Sequence, residues 1–155
     1  MASIDRSDPI ILGHVLAEHR ELFCQMSAIH AALCGTAAPT RHDVERLVAC
    51  VSGLREHLRG HFAQEEKGGF LEEAIARMPR LARAATAIMK QHPALLAELD
   101  ALVLRLREML APGDISAAAW QQAARDYECF AAHMQAHERS ENAVVQEGYN
   151  EDLDL

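Results

Sequence analysis

Apolar residues recur along this chain at spacings of three and four, in four long stretches divided by short breaks. The first opens at Asp8-Pro9, where Asp suits the cap position and Pro the first helical position. Leu12, Leu16, His19, Phe23, Met26, His30 and Leu33 then keep one face to about Cys34. After the break from Gly35 to Pro39, Thr40 with Asp43 three residues on predicts a capping box. The second pattern runs through Leu47, Val51, Leu54, Leu58 and His61 to Glu65-Glu66, where Gly68-Gly69 interrupts it. The third follows Pro79, through Leu81, Ala85, Ile88, His92, Leu96, Leu99, Val103, Leu106 and Leu110, and ends at Ala111-Pro112-Gly113-Asp114. The fourth runs from about Ser116 to about Glu147, leaving Gly148 to Leu155 as an acidic, frayed tail. No stretch alternates as a strand would. Connections this short make successive helices antiparallel neighbours, so the expected fold is all-α, an up-down-up-down four-helix bundle over 8–147 with a tail over 148–155.

Composition narrows the picture. The 155 residues are half hydrophobic but only 5% aromatic, which suits one core of packed helices. A net charge of −8 without a Lys/Arg cluster argues against nucleic acid and against anionic membrane surfaces as partners. No apolar run is long enough to span a bilayer, and no signal peptide is apparent at the start, so a cytoplasmic protein is expected. Cys24, Cys34, Cys50 and Cys129 form no CxxC pair and read as reduced thiols serving as small core residues, with a soft second metal site the minor alternative.

The nine histidines add chemistry, because their spacing repeats. His57-x3-His61-x3-Glu65 in the second pattern is matched by His133-x3-His137-x3-Glu141 in the fourth. The preceding patterns match as well, Glu18-His19-Arg20-Glu21-Leu22 against Gln91-His92-Pro93-Ala94-Leu95. His19 and His92 lie 73 residues apart and His61 and His137 lie 76 apart, so the halves are nearly in register, as a duplicated helical hairpin would be. Residues four apart share a helix face, about 6 Å apart along the axis. Two hairpins related by a pseudo-two-fold axis would bring four His and two Glu to one level, with each Glu placed to bridge two metal ions. Each ion would take two imidazoles and two carboxylate oxygens, with room for an oxo or hydroxo bridge and an outside ligand. The plainer alternative, histidines on helix surfaces or in single core contacts, leaves matched polar residues on apolar faces at a cost of about 1–3 kcal/mol each if unpaired.

Taken in order, Glu18-His19-Arg20-x-Leu22, His61-Phe62-x-x-Glu65-Glu66, His92 and His137-x-x-x-Glu141-Asn142 resemble the hemerythrin-like HHE cation-binding domain, from about Asp8 to about Val145. The resemblance implies a non-haem di-iron centre ligated by His19, His61, His92, His137, Glu65 and Glu141, the two Glu bridging. It also implies a small diatomic partner, O2 or NO. Two departures stand out. Oxygen carriers of the family have a second His one turn after the third-helix ligand, where this chain has Leu96, which points away from reversible O2 carriage. Pro93 directly follows His92 and predicts a kinked helix there.

The donors alone also admit manganese or zinc. Alternatives to a binding or sensing module are a di-iron enzyme that reduces NO or peroxide or aids iron–sulfur repair, a ferritin-like oxidase, a haem held by two histidines, and a bundle in which the metal is structural. With no proton donor or substrate pocket evident beyond the ligands, binding is favoured over catalysis. Around the ligands, His14, His57 and His133 are candidates for outer hydrogen-bonding roles. His30 is expected in the core or at the end of the bundle, His42 in solvent, and Glu66 and Glu138 on solvated faces.

Overall fold

The computed structural model describes residues 9–67 and 70–150, the side chains of 9–18, 70, 73, 149 and 150 excepted. It is all-helical, with no strand among the described residues. Four long helices dominate: α1 (Pro9–Cys34), α2 (Arg41–Glu66), α4 (Ala82–Met109) and α5 (Ala117–Asn150). Between α2 and α4 lie the short α3 (Phe70–Arg77) and a 3-10 turn, Pro79–Leu81. α1 packs on α2 and α5, and α4 packs on α2 and α5.

The local signals act as their chemistry requires. Thr40 caps α2 with the reciprocal bonds of a capping box: its hydroxyl accepts from Asp43 N at 3.2 Å, and Thr40 N donates to Asp43 Oδ2 at 2.8 Å. Gly113 takes φ +82° in the turn before α5, a conformation that costs glycine little. α4 runs unbroken through Pro93, and its buried residues stay in register on either side, from Ile88 through His92 and Leu95 to Leu99. Proline removes one backbone donor, a loss that a long helix anchored along both halves can absorb.

Leu47, Val51, Leu54 and Leu58 of α2 are buried as their spacing predicts, against Leu99, Leu102 and Leu106 of α4 and Tyr127, Phe130 and Met134 of α5 in one cluster. On α1 the buried face differs from the expected one. Leu22, Ile29 and Leu33 are inside, whereas Phe23 is 65% exposed and His30 is exposed. His19, Leu22, Met26, Ile29 and Leu33 follow the same three-and-four rhythm one step round the helix, and the larger aliphatic set wins the core. The four cysteines are all exposed, which corrects the expectation of buried thiols.

Two further differences lie at one end of the molecule. α3 was not legible as a helix. Its Leu71 and Ala74, with Met78, join Leu81, Ala85, Ile88, Val144 and Val145 in a second apolar cluster. α5 continues three residues beyond Glu147, and Gly148 is buried against α3: a Cβ there would sit 2.7 Å from Ala74 Cβ. Helix α5 is therefore held where fraying was expected. Asp8, the expected cap of α1, and residues 151–155 of the acidic tail lie outside the described residues.

Candidate metal centre

Each long helix brings polar residues to one buried level. His61 and Glu65, one turn apart on α2, are 3% and 1% exposed. His137 and Glu141, one turn apart on α5, are each 1% exposed, and His92 of α4 is 2% exposed. His19 of α1 completes the set with 15% of its side chain exposed. These residues form two overlapping groups, His19/His61/Glu65/Glu141 and Glu65/His92/His137, in which all donor atoms lie within 4.8 Å of one another.

The two carboxylates link the groups. Glu65 Oε1 is 2.6 Å from His61 Nε2, while its Oε2 is 2.9 Å from His92 Nε2. Glu141 Oε1 is 3.2 Å from His19 Nε2 and 4.0 Å from His61 Nε2, while its Oε2 is 3.4 Å from His137 Nε2. Each carboxylate thus turns one oxygen toward the α1/α2 imidazoles and the other toward the α4/α5 imidazoles. The distances are those of contact, but the directions are not those of hydrogen bonds. Nε2 of His19, His92 and His137, both Glu65 oxygens and Glu141 Oε1 are buried without a hydrogen-bond partner. An orphaned buried polar atom costs about 1–3 kcal/mol, so so many in one place call for a further group between them. Nitrogen and carboxylate oxygen atoms converging this way suit one or two divalent or trivalent cations.

The histidine rings are held from outside. His92 Nδ1 donates to Glu66 Oε1 at 2.9 Å, and His137 Nδ1 donates to Gln91 Oε1 at 2.8 Å. A proton committed to Nδ1 leaves the Nε2 lone pair of the neutral ring facing the centre, the tautomer a metal needs. Phe62 stacks on His92 with centroids 3.9 Å apart and planes 4° apart, and meets His137 edge-on at 5.5 Å. His19 and His61 pack edge to face at 5.3 Å, as His92 and His137 do at 5.0 Å.

The electrostatics follow from this crowding. Burial pulls the His19 imidazole down, but the Glu141 carboxylate beside it outweighs burial and leaves its pKa raised. Burial likewise opposes Glu65 and Glu66 at His92, which ends up raised. Burial pushes Glu141 up, yet the neighbouring His137 and His19 hold it well below the usual carboxylate range. Glu138, half-buried beside the centre, is pushed up by burial.

The structure therefore brings together all six residues singled out by spacing, His92 included despite Pro93. The outer residues fall differently. His57 donates from Nδ1 to Gln25 Oε1 at 2.6 Å, and the exposed His133 to Glu98 Oε1 at 2.7 Å; neither hydrogen-bonds a member of the centre. The side chain of His14 lies outside the described residues. His42 is exposed, as expected. Glu66, expected to be merely solvated, orients His92 instead, and Glu138 is half-buried rather than solvated. Gln91 and Phe62 are each adjacent in sequence to a histidine of the centre, but helix spacing alone assigns them no role. Their partners come from other helices, so only the packing reveals what they do.

No family model matches this chain, and no curated protein or solved structure was found to be similar to it. No helix among the described residues is long and apolar enough to cross a membrane.

Proposed function

We propose that the protein is a di-metal-binding module of hemerythrin-like type, an up-down-up-down four-helix bundle built from a duplicated helical hairpin, with two non-haem irons as its resident metals. The observation that carries this reading is the division of labour within Glu65 and Glu141, whose paired oxygens face different histidine pairs. His19 and His61 would hold one ion, His92 and His137 the other, with both glutamates shared. Iron held by these residues would supply one-electron chemistry suited to O2 or NO. The protein's own part is to bind and orient. Glu66 and Gln91 keep two imidazoles in the metal-binding tautomer, Phe62 fixes the His92 ring plane, and burial of His61, Glu65, His92, His137 and Glu141 keeps bulk water from their donor atoms. Binding or sensing a diatomic gas is the role we assign, in preference to turnover.

The experiment is metal analysis of anaerobically purified protein, with an optical spectrum before and after O2 or NO. The expected result is about two irons per chain and charge-transfer bands that change with gas. A colourless protein carrying stoichiometric zinc would overturn the gas-binding role. Steady consumption of NO or peroxide with a reductant would replace binding by catalysis.

A further inference from the structure

We propose a second, separate metal site on the outer face of the α1/α5 seam, formed by His30, Cys34 and Glu128 and selective for a zinc-like divalent cation. His30 and Cys34 stand one turn apart on α1, and Glu128 reaches them from α5. His30 Nδ1 is 2.7 Å from Glu128 Oε1, and Cys34 Sγ is 3.7 Å from His30 Nε2 and 3.9 Å from Nδ1. With bonds of about 2.3 Å to sulfur and about 2.0–2.2 Å to nitrogen and oxygen, tetrahedral zinc sets its donors roughly 3.4–3.6 Å apart. The thiol is already near that spacing, and the His–Glu pair needs to open by less than about 1 Å to admit the ion.

The backbone around the cluster is braced on both sides, which separates it from a chance meeting of surface side chains. Tyr127, next to Glu128, donates its hydroxyl to Met26 O at 2.6 Å, one turn before His30. Trp120 Nε1 donates to Leu33 O and Thr36 O, each at 3.1 Å, on either side of Cys34. Two of these three bonds cross from α5 to α1 and the third reaches the loop just after Cys34, so the two helices that carry the donors are fixed relative to each other. Cys24, Cys50 and Cys129 are also exposed but join no such group among the described residues. Thiolate, imidazole and carboxylate together favour zinc-like ions over the oxygen-seeking magnesium and calcium. On binding, the thiol proton leaves to solvent, and the cation takes the place of the imidazole–carboxylate hydrogen bond as the single N–H of the neutral His30 ring passes through solvent from Nδ1 to Nε2. Three protein donors leave a fourth position open, beside a cavity of about 270 Å³ that His30 and Glu128 help to line.

The site is tested by thiol protection on the reduced, full-length protein. Zn2+ is titrated in, and iodoacetamide labelling of each cysteine is followed by peptide mass spectrometry, with Cys24, Cys50 and Cys129 as internal references. Zinc should slow labelling of Cys34 about tenfold or more and leave the other three within about twofold. His30→Ala combined with Glu128→Ala should abolish the protection, while Glu65→Gln, which alters only the buried centre, should leave it intact. Labelling of Cys34 that zinc does not change, or protection that survives the double variant, overturns the proposal. Cobalt(II) supplies a second reading on the same variants: a near-ultraviolet thiolate absorption should form in the wild type and be missing in Cys34→Ser, and its persistence there counts against the site.

Discussion

Glu65 and Glu141 each place one oxygen toward each half of the centre, so on the proposed two-metal reading removing either would withdraw a donor from both ions at once. Glu65→Ala and Glu141→Ala are therefore expected to lose both metals together. Glu108→Ala, at an exposed position, should keep them. The check is the metal-to-protein ratio of the three variants purified side by side; loss of one ion with full retention of the other would exclude shared carboxylates. Glu66 is no neutral control, although it too is exposed, because it accepts from His92 Nδ1. Glu66→Ala should weaken metal affinity by about tenfold without removing a donor, measured by competition with a chelator. Phe62→Ala should lower stability by about 3–5 kcal/mol in denaturant melts and weaken metal binding as well, since the ring it removes lies flat on His92.

At the scale of elements, two glycines in helices should respond oppositely to the same substitution. Gly53 of α2 has nothing within 4 Å of where a Cβ would be, so Gly53→Ala should raise stability by about 0.5–1 kcal/mol through reduced backbone entropy in the unfolded chain. Gly148 of α5 would place its Cβ 2.7 Å from Ala74 Cβ and 3.1 Å from Ala74 Cα. Gly148→Ala should therefore lower stability by about 1–3 kcal/mol, because α3 must move off α5 and open the cluster around Leu71 and Val144. Denaturant midpoints of the two variants make the comparison, and equal shifts would refute the close approach of α3 to α5. The pair also shows why α3 escaped the periodicity. Eight residues give little more than two turns of pattern, and what makes Phe70–Arg77 a helix is the surface that α4 and α5 offer it.

For the whole molecule, acidity and metal pull in opposite directions. His19 and His92 are raised above 6.5 in the folded, metal-free protein. The stability they contribute is therefore full below 6.5 and is lost as pH rises through their raised values. Glu141 is lowered from 4.5, so its contribution holds above 4.5 and is lost as pH falls through its depressed value. The metal-free centre is thus held best by its own charges in mildly acid solution, between those two ordinary values. A bound cation needs neutral imidazoles and gains as pH rises. The difference in Tm between metal-loaded and metal-free protein should accordingly be larger at pH about 7.5 than at about 5.5, where protons compete for the same nitrogens. A difference that shrinks with rising pH would contradict histidine ligation.

Much of this organisation is local and so readable in one dimension. The capping box at Thr40 and the turn at Gly113 depend on chemistry within four or five residues. The His-x3-Glu repeat needs only the pitch of a helix to put His61 with Glu65 and His137 with Glu141 on shared faces. Other features depend on which surfaces meet. Phe23 and Leu22 fit the α1 periodicity equally well, and only the opposing helices put Leu22 inside and Phe23 out. Glu66 and Glu138 look alike as sequence neighbours of Glu65 and His137, until α4 carries His92 to the first and burial half-covers the second. His30, Cys34 and Glu128 are unremarkable in order along the chain, 94 residues separating the thiol from the carboxylate, and become one cluster only where α5 crosses α1. Helix pitch is a property of the chain itself and repeats wherever the residues do. Contact between helices is a choice among competing faces, made by the core as a whole.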